Sequence, residues 1–239
     1  MNIRHKSCTP LSARLAGILR KVPTATITSQ LQMRGYQNCF LNGLRPLDGS
    51  RRLLGVARTL RYLPARPDLH DLTGDVQRDT IESIEPGEVL VIDAREEPHA
   101  GTIGDIYALR VKMRGGEGVI TDGALRDTPA IRRIGLPVYH QTSNAATLSR
   151  RHVSVDAQVP VACGGATVLP GDILVGDGEG VVVIPAHIVE EIAQASMAME
   201  IEEEFVLDRI GHGASTMDYF PLRGDAEQEY EIWRSAHDD

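Results

Sequence analysis

Asp105 is followed, after twenty residues, by Arg126-Asp127, the end of the run Gly118-Val-Ile-Thr-Asp-Gly-Ala-Leu-Arg-Asp127. Two carboxylates and a guanidinium are thereby set among glycines and small apolar residues. Carboxylate oxygens suit hard cations such as Mg²⁺ or Mn²⁺, and a guanidinium grips a planar carboxylate through two parallel hydrogen bonds. Such a group can hold a divalent metal and a 2-oxo acid together. Charges at some spacing recur by chance in any chain. The setting between a Gly-rich turn and an apolar strand is what gives this set its weight. No Cys/His cluster competes for a metal.

Each residue also has a plainer reading. Asp127, shortly before Pro129, can cap a helix. Arg126 can be a structural ion-pair partner, and Asp105 a carboxylate in the first turn of a helix, where the helix dipole favours it. Asp122 precedes Gly123 and reads as a turn residue, as do Asp172 and Asp177 in their Gly-Asp contexts. Gly164-Gly165 lacks the rest of any nucleotide fingerprint and reads as a tight turn. His140 and His152 read as satisfied surface or core residues. The Lys residues form no distinctive Schiff-base motif. No Gly-rich loop after a first strand offers a site for S-adenosylmethionine.

The elements that must position these residues follow from periodicity. Leu11, Leu15, Ile18 and Leu19 recur at helical spacing until Pro23, and Thr24 to Met33 reads as a second helix with a Ser or Thr cap. Arg52 to Leu63 reads as a strand, Asp75 to Ile84 as a helix, and Val89-Leu-Val-Ile-Asp93 as a strand buried on both faces. Gly104 to Gly115 is expected to be a helix, Gly118 to Thr121 a strand, Pro129 to Ile134 a helix and Pro137 to His140 a strand. Short strands follow at Val153 to Ala162, Ala166 to Leu169, Ile173 to Val175 and Val181 to Ile184, the last two joined by a turn at Gly176 to Gly180. His187 to Ile210 reads as one long helix. The acidic tail from Ala214 to Asp239 is poorly periodic and is expected to be an exchanged arm or partly disordered. Strands alternating with helices, then hairpins, imply a mixed α/β sandwich in a single domain.

Composition bounds the rest. The 239 residues can bury a sizeable core, filled mostly by aliphatic side chains because only 4% are aromatic. A formal net charge of -8 argues against bulk nucleic-acid binding. The Arg-rich stretch Arg45, Arg51, Arg52, Arg58, Arg61, Arg66 is the local exception and reads as a solvated or subunit-contact surface. Cys8, Cys39 and Cys163 are odd in number without metal-ligand spacing, which fits free thiols in a reducing compartment. No signal peptide and no membrane span are apparent, so a cytoplasmic location is expected.

The segments Pro86 to Asp93, Gly104-Asp-Ile-Tyr-Ala108, Gly118 to Asp127, Gly135-Leu-Pro-Val138, Cys163 to Asp172 and Gly176 to Pro185 lie within roughly residues 20 to 212. Together they resemble the RraA-like family, which includes regulators of ribonuclease E activity and class II 4-hydroxy-4-methyl-2-oxoglutarate aldolases. The resemblance implies a swivelling β/β/α fold, with an N-terminal helical extension and a C-terminal helix and tail (213–239) added here. It also implies trimers or hexamers with sites between subunits.

By the same resemblance, Asp127 is a metal ligand, Arg126 binds the substrate carboxylate or keto oxygen, and Asp105 lies in the active site. Gly101-Thr102-Ile103-Gly104, leading into a helix start, would receive a pyruvyl carboxylate. A Glu of a neighbouring subunit's C-terminal helix completes the site; Glu202, Glu203 and Glu204 are the candidates, Glu203 first. Its plainer reading is a solvated helix face. Ala130 stands where many members carry an acid, which bears on the outer metal shell. The implied activity is a Mg²⁺- or Mn²⁺-dependent lyase. It would release pyruvate from a 4-hydroxy-2-oxo acid by retro-aldol cleavage, or decarboxylate oxaloacetate, through an enolate. The competing reading is a non-catalytic oligomer that binds and inhibits a ribonuclease.

Overall fold

The computed structural model describes residues 10–66, 68 and 74–236; Cys8 lies outside them. The helices are α1 (Ala13–Leu19), α2 (Thr24–Met33), α3 (Val76–Glu82), α4 (Asp105–Met113), α5 (Thr128–Ile134), α6 (Val189–Gly211), α7 (Thr216–Tyr219) and α8 (Asp225–Ser235). The strands are β1 (Arg45–Pro46), β2 (Leu53–Pro64), β3 (Glu88–Asp93), β4 (Gly118–Leu125), β5 (Val138–Ser143), β6 (His152–Ala157), β7 (Val161–Cys163), β8 (Ala166–Val168), β9 (Ile173–Gly176) and β10 (Val181–Ile184). Ten of them divide into an eight-stranded sheet, in the order β1-β5-β4-β3-β2-β9-β10 with β6 also on β2, and the hairpin β7-β8. β2, β3, β4 and β5 run parallel, and the remaining pairings are antiparallel.

The continuous apolar run of β3 is buried on both faces, as a central parallel strand must be. On one face, Val76, Ile81, Ala108, Val111 and Ile131 from α3, α4 and α5 pack on Leu60, Leu90, Ile92, Val119 and Val138. On the other, Leu41, Leu44, Cys163 and Val168 cover Val89, Val91 and Ile120. Each fully buried Leu or Ile contributes roughly 1.5–3 kcal/mol. α1, α2 and the first half of α6 close over β9 and β10, with Leu19, Ile27, Leu31 and Ile192 against Val175 and Val182. This is the mixed α/β sandwich expected, with its N-terminal helices and C-terminal helix. Among the described residues no helix is long and apolar enough to cross a membrane.

Several local expectations are corrected. α2 has no Ser or Thr cap. Pro23 stands at its N-cap, and Asp177 from the β9–β10 turn accepts from Thr24 N and Thr24 Oγ1, both at 2.8 Å. The Arg stretch is not all surface, because β2 is covered on both faces. Arg58 is buried against Glu88 at 3.3 Å and donates to Ser83, while Arg52 donates to the Leu19 and Val22 carbonyls. The tail folds back on its own chain: α8 places Tyr230 and Trp233 against Phe205 of α6. Residues 214–236 are therefore neither disordered nor extended as an arm.

Candidate active site

β4 runs four residues beyond the expected Thr121, and Asp122 lies within the strand instead of in a turn. The register of β4 against β5 shifts between Thr121 and Ala124. Asp122 there accepts a hydrogen bond from Ala94 N at 2.6 Å. Burial pushes its carboxyl up to about 6, against that hydrogen bond. Arg126 and Asp127 follow β4 directly, at the carboxyl end of the parallel strands, where open α/β sheets bind ligands.

The loop Gly101–Gly104 is laid along this end of β4. Thr102 N donates to the Ala124 carbonyl at 2.8 Å, Thr102 Oγ1 donates to the same oxygen at 2.9 Å, and Arg126 N donates to the Ile103 carbonyl at 3.1 Å. Two of its residues must be glycine for the approach to be this close. A Cβ on Gly101 would overlap Arg126 Cγ and lie 2.8 Å from Arg126 Cδ; one on Gly104 would lie 2.7 Å from Asp127 Oδ2. The loop is held from beneath by two donors to the Thr102 carbonyl, Gln77 Nε2 at 2.8 Å and the Tyr62 hydroxyl at 3.2 Å.

Asp127 occupies the N-cap position of α5 in a left-handed conformation (φ 54°, ψ 33°), and its side chain makes no capping hydrogen bond. Capping alone therefore does not account for the residue. A left-handed non-glycine residue costs on the order of 1 kcal/mol, and here the conformation leaves the carboxylate against Gly104 instead of over its own helix. Arg126 Nε is 3.9 Å from Asp127 Oδ2, and this buried nitrogen has no hydrogen-bond partner. So loose a pair leaves the guanidinium free for a ligand. Asp105 is the first residue of α4, and its Oδ1 accepts from Ile106 N at 2.9 Å.

A cleft of about 590 Å³ results. Gly101, Thr102, Ile103, Gly104, Asp105, Arg126 and Asp127 all line it, with Gln77, Tyr107 and Leu148. A second lobe of about 670 Å³ adjoins it and shares Gln77, Tyr107, Arg126 and Leu148. His152 lies in the wall of that lobe, and burial beside Arg95 pushes its pKa down to about 4. Glu203 lines neither lobe. It lies on α6, away from the cleft of its own chain, its pKa raised by burial and by Glu200 and Glu202. His140 stands away from both lobes, and Gly164-Gly165 is the tight turn of the β7–β8 hairpin.

Gln77 and Tyr62 were not singled out from the sequence. A signal for Gln77 existed: with Val76, Thr80 and Ile81 it forms the buried face of α3, so an amide occupies an apolar stripe.

A family model described as Aldolase/RraA, RraA-like, matches residues 24–183. A Halalkalibacterium halodurans protein provisionally named 4-hydroxy-4-methyl-2-oxoglutarate aldolase is 30% identical over 188 residues, covering 77% of this chain and 83% of the relative. Among solved structures, Streptomyces coelicolor RraAS2, described as an unusual member of the RNase ES inhibitor RraA family, aligns with a TM-score of 0.77 at 32% identity. That alignment covers 82% of this chain and 97% of that one. An uncharacterized protein from Pseudomonas syringae pv. tomato has the same fold, with a TM-score of 0.80 at 23% identity over 93% of this chain and 96% of that one.

Proposed function

Since the chain belongs to the Aldolase/RraA family, we propose that it is a divalent-metal-dependent carbon–carbon lyase that releases pyruvate from a short 2-oxo acid. The observation that carries this reading is the packing of Arg126 and Asp127 against the Gly101–Gly104 loop, which converges a cation, a carboxylate and helix-start amides on one cleft.

Among the described residues, no three His, Cys, Asp or Glu side chains are grouped to hold a metal. The two cleft carboxylates fit Mg²⁺, which is commonly held by one or two carboxylates and completed by water and substrate oxygens. Asp127 would be the direct ligand, with Asp105 beside it. Bound there, the cation supplies Lewis-acid stabilisation of negative charge on the 2-oxo oxygen.

The chain's own groups do the rest. The amides at the start of α4 receive the substrate carboxylate, and the Arg126 guanidinium binds the carboxylate or the 2-oxo oxygen and offsets the charge developing there. In retro-aldol cleavage the 4-hydroxyl loses its proton and the C3–C4 bond breaks. Its electron pair passes to C3 to give the enolate, and protonation at C3 yields pyruvate. The 4-hydroxyl proton goes to a water held by Asp105 or to Glu203 of a neighbouring subunit in a trimer or hexamer. Decarboxylation of oxaloacetate breaks the corresponding bond with loss of CO₂ and needs no such base.

Pyruvate release from oxaloacetate and from 4-hydroxy-4-methyl-2-oxoglutarate, with Mg²⁺ or Mn²⁺ and then with excess chelator, tests the reading. Turnover that requires the metal and is lost in Asp127→Ala supports it; chelator-resistant turnover, or none on either substrate, counts against it. A second reading, an oligomer that inhibits a ribonuclease, is favoured by the likeness to RraAS2 and by the exposed Ile106, Leu109 and Met113 along α4. Inhibition of an RNase E-type enzyme that survives Asp127→Ala would establish that reading instead.

A further inference from the structure

The lobe beyond Arg126 is used by none of the steps above, although it is as large as the cleft beside it and open to it past Arg126 and Leu148. A substrate held at its pyruvyl end by Arg126 and the Gly101–Gly104 loop would extend into this lobe with whatever it carries past C4. The chemistry of the walls says what that is.

Among the described residues, the charged groups there other than Arg126, which the pyruvyl end would occupy, are already matched. Arg66 forms two hydrogen bonds with Asp68, at 2.6 and 2.8 Å. Asp75 accepts from Arg78 N at 3.1 Å and pairs with the Arg78 guanidinium, also at 3.1 Å. His152 is 2% exposed and uncharged at neutral pH, and its Nε2 has no hydrogen-bond partner. Besides Arg126, what the described walls of the lobe offer is neutral: the Gln77 amide and the hydroxyls of Thr147, Ser149 and Ser154. A second substrate carboxylate would meet Asp75 and would have to displace Asp68 from Arg66. Hydroxyl groups, which donate and accept, match these walls without either cost.

We propose that this lobe binds the fragment beyond C4 and that the fragment is an uncharged polyol, so that the enzyme cleaves a 4-hydroxy-2-oxo acid bearing further hydroxyls into pyruvate and a hydroxyaldehyde. The inference rests on the lyase reading and narrows it. The balance is that of the retro-aldol step: the C3–C4 pair goes to C3, and C4 keeps its oxygen as the aldehyde carbonyl once the hydroxyl proton has left.

The test compares kcat/KM for 2-keto-3-deoxygluconate, 4-hydroxy-4-methyl-2-oxoglutarate and oxaloacetate, in the wild type and in Ser149→Phe. Ser149 is exposed on a short 3-10 turn in the wall of the lobe, so phenylalanine there would fill space without entering the core. The polyol acid is expected to exceed 4-hydroxy-4-methyl-2-oxoglutarate by about tenfold or more, as lost polar pairing discriminates strongly. Ser149→Phe should lower its kcat/KM by about tenfold while oxaloacetate, which ends before the lobe, stays within about twofold. Faster turnover of 4-hydroxy-4-methyl-2-oxoglutarate than of the polyol acid, or equal effects of Ser149→Phe on the polyol acid and oxaloacetate, would overturn the assignment of the lobe while leaving the lyase standing. No turnover of any of the three would overturn the lyase reading and the lobe's role with it.

Discussion

Gly101→Ala separates the role of the loop from general effects of losing a glycine. Gly101 does not have a positive φ, so alanine is allowed by its backbone and the whole effect is contact. The new methyl would overlap Arg126 Cγ and lie 2.8 Å from Cδ and 3.1 Å from Cβ. Carbon atoms rest about 3.5–4.0 Å apart, so Cδ must retreat by roughly 0.7 Å or more and Cγ by more still. Cβ and Cγ lie near the main chain, so the displacement cannot be absorbed at the tip of the side chain. Overpacking of this kind costs about 1–3 kcal/mol, and a misplacement near 1 Å in a catalytic group costs on the order of a hundredfold in rate. Gly17→Ala is the matched control. It lies within α1 with nothing within 4 Å of a Cβ, and should stabilise by about 0.5–1 kcal/mol. Urea denaturation should therefore separate the two variants by about 2 kcal/mol or more, and oxaloacetate turnover should fall only in Gly101→Ala. Equal stability of the two, or wild-type turnover in Gly101→Ala, would refute the contact argument.

Gln77→Leu removes one donor to the Thr102 carbonyl. It should cost about 1 kcal/mol in stability and raise KM more than it lowers kcat, whereas Tyr62→Phe, losing the longer bond, should do less. Asp127→Gly should be more stable than Asp127→Ala by about 1 kcal/mol in thermal unfolding, because only glycine takes the left-handed conformation freely; both should be inactive. Two buried groups give opposite pH dependences. His152, with a pKa lowered to about 4, binds fewer protons folded than unfolded, so its contribution rises with pH between about 4 and 6.5. Asp122, raised from 3.8 to about 6, binds more protons folded, so its contribution falls over that window. Relative to wild type, His152→Asn should shift the slope of stability against pH downward between 4 and 6, and Asp122→Asn should shift it upward; chemical unfolding at several pH values reads both, and shifts of the same sign would contradict the assignments. Glu88→Gln should cost about 3–5 kcal/mol by leaving the Arg58 charge buried without its partner.

The sequence carried the sheet well where burial alone decides the pattern. The unbroken apolar run of β3, the β9–β10 hairpin around Gly176 to Gly180 and the helix after Gly104 all lie where periodicity put them. Asp122-Gly123 misled because Asp-Gly usually marks a turn. Here the glycine serves packing: a Cβ on Gly123 would lie 2.7 Å from Ala94 Cβ and 2.8 Å from Thr102 Cγ2. The tail misled for the opposite reason. α8 turns only Ala226, Tyr230 and Trp233 inward, a short stripe among many charged residues, and Phe205 that anchors it lies on another helix. The buried Arg58 was hidden because its partner Glu88 is thirty residues away on the neighbouring strand. In the site, the spacing of Asp105 and Arg126-Asp127 drew attention to the cleft, and the left-handed backbone of Asp127 was beyond any spacing argument.

The central claim, that the cleft forms and protonates a pyruvate enolate, is tested most directly by exchange of the pyruvate methyl protons in D₂O, followed by NMR. That half-reaction needs no knowledge of the second fragment. The account predicts exchange that depends on protein and on Mg²⁺ or Mn²⁺, stops with chelator and is lost in Asp127→Ala. Absence of exchange in the metal-supplied wild type, or exchange undiminished in Asp127→Ala, would contradict it.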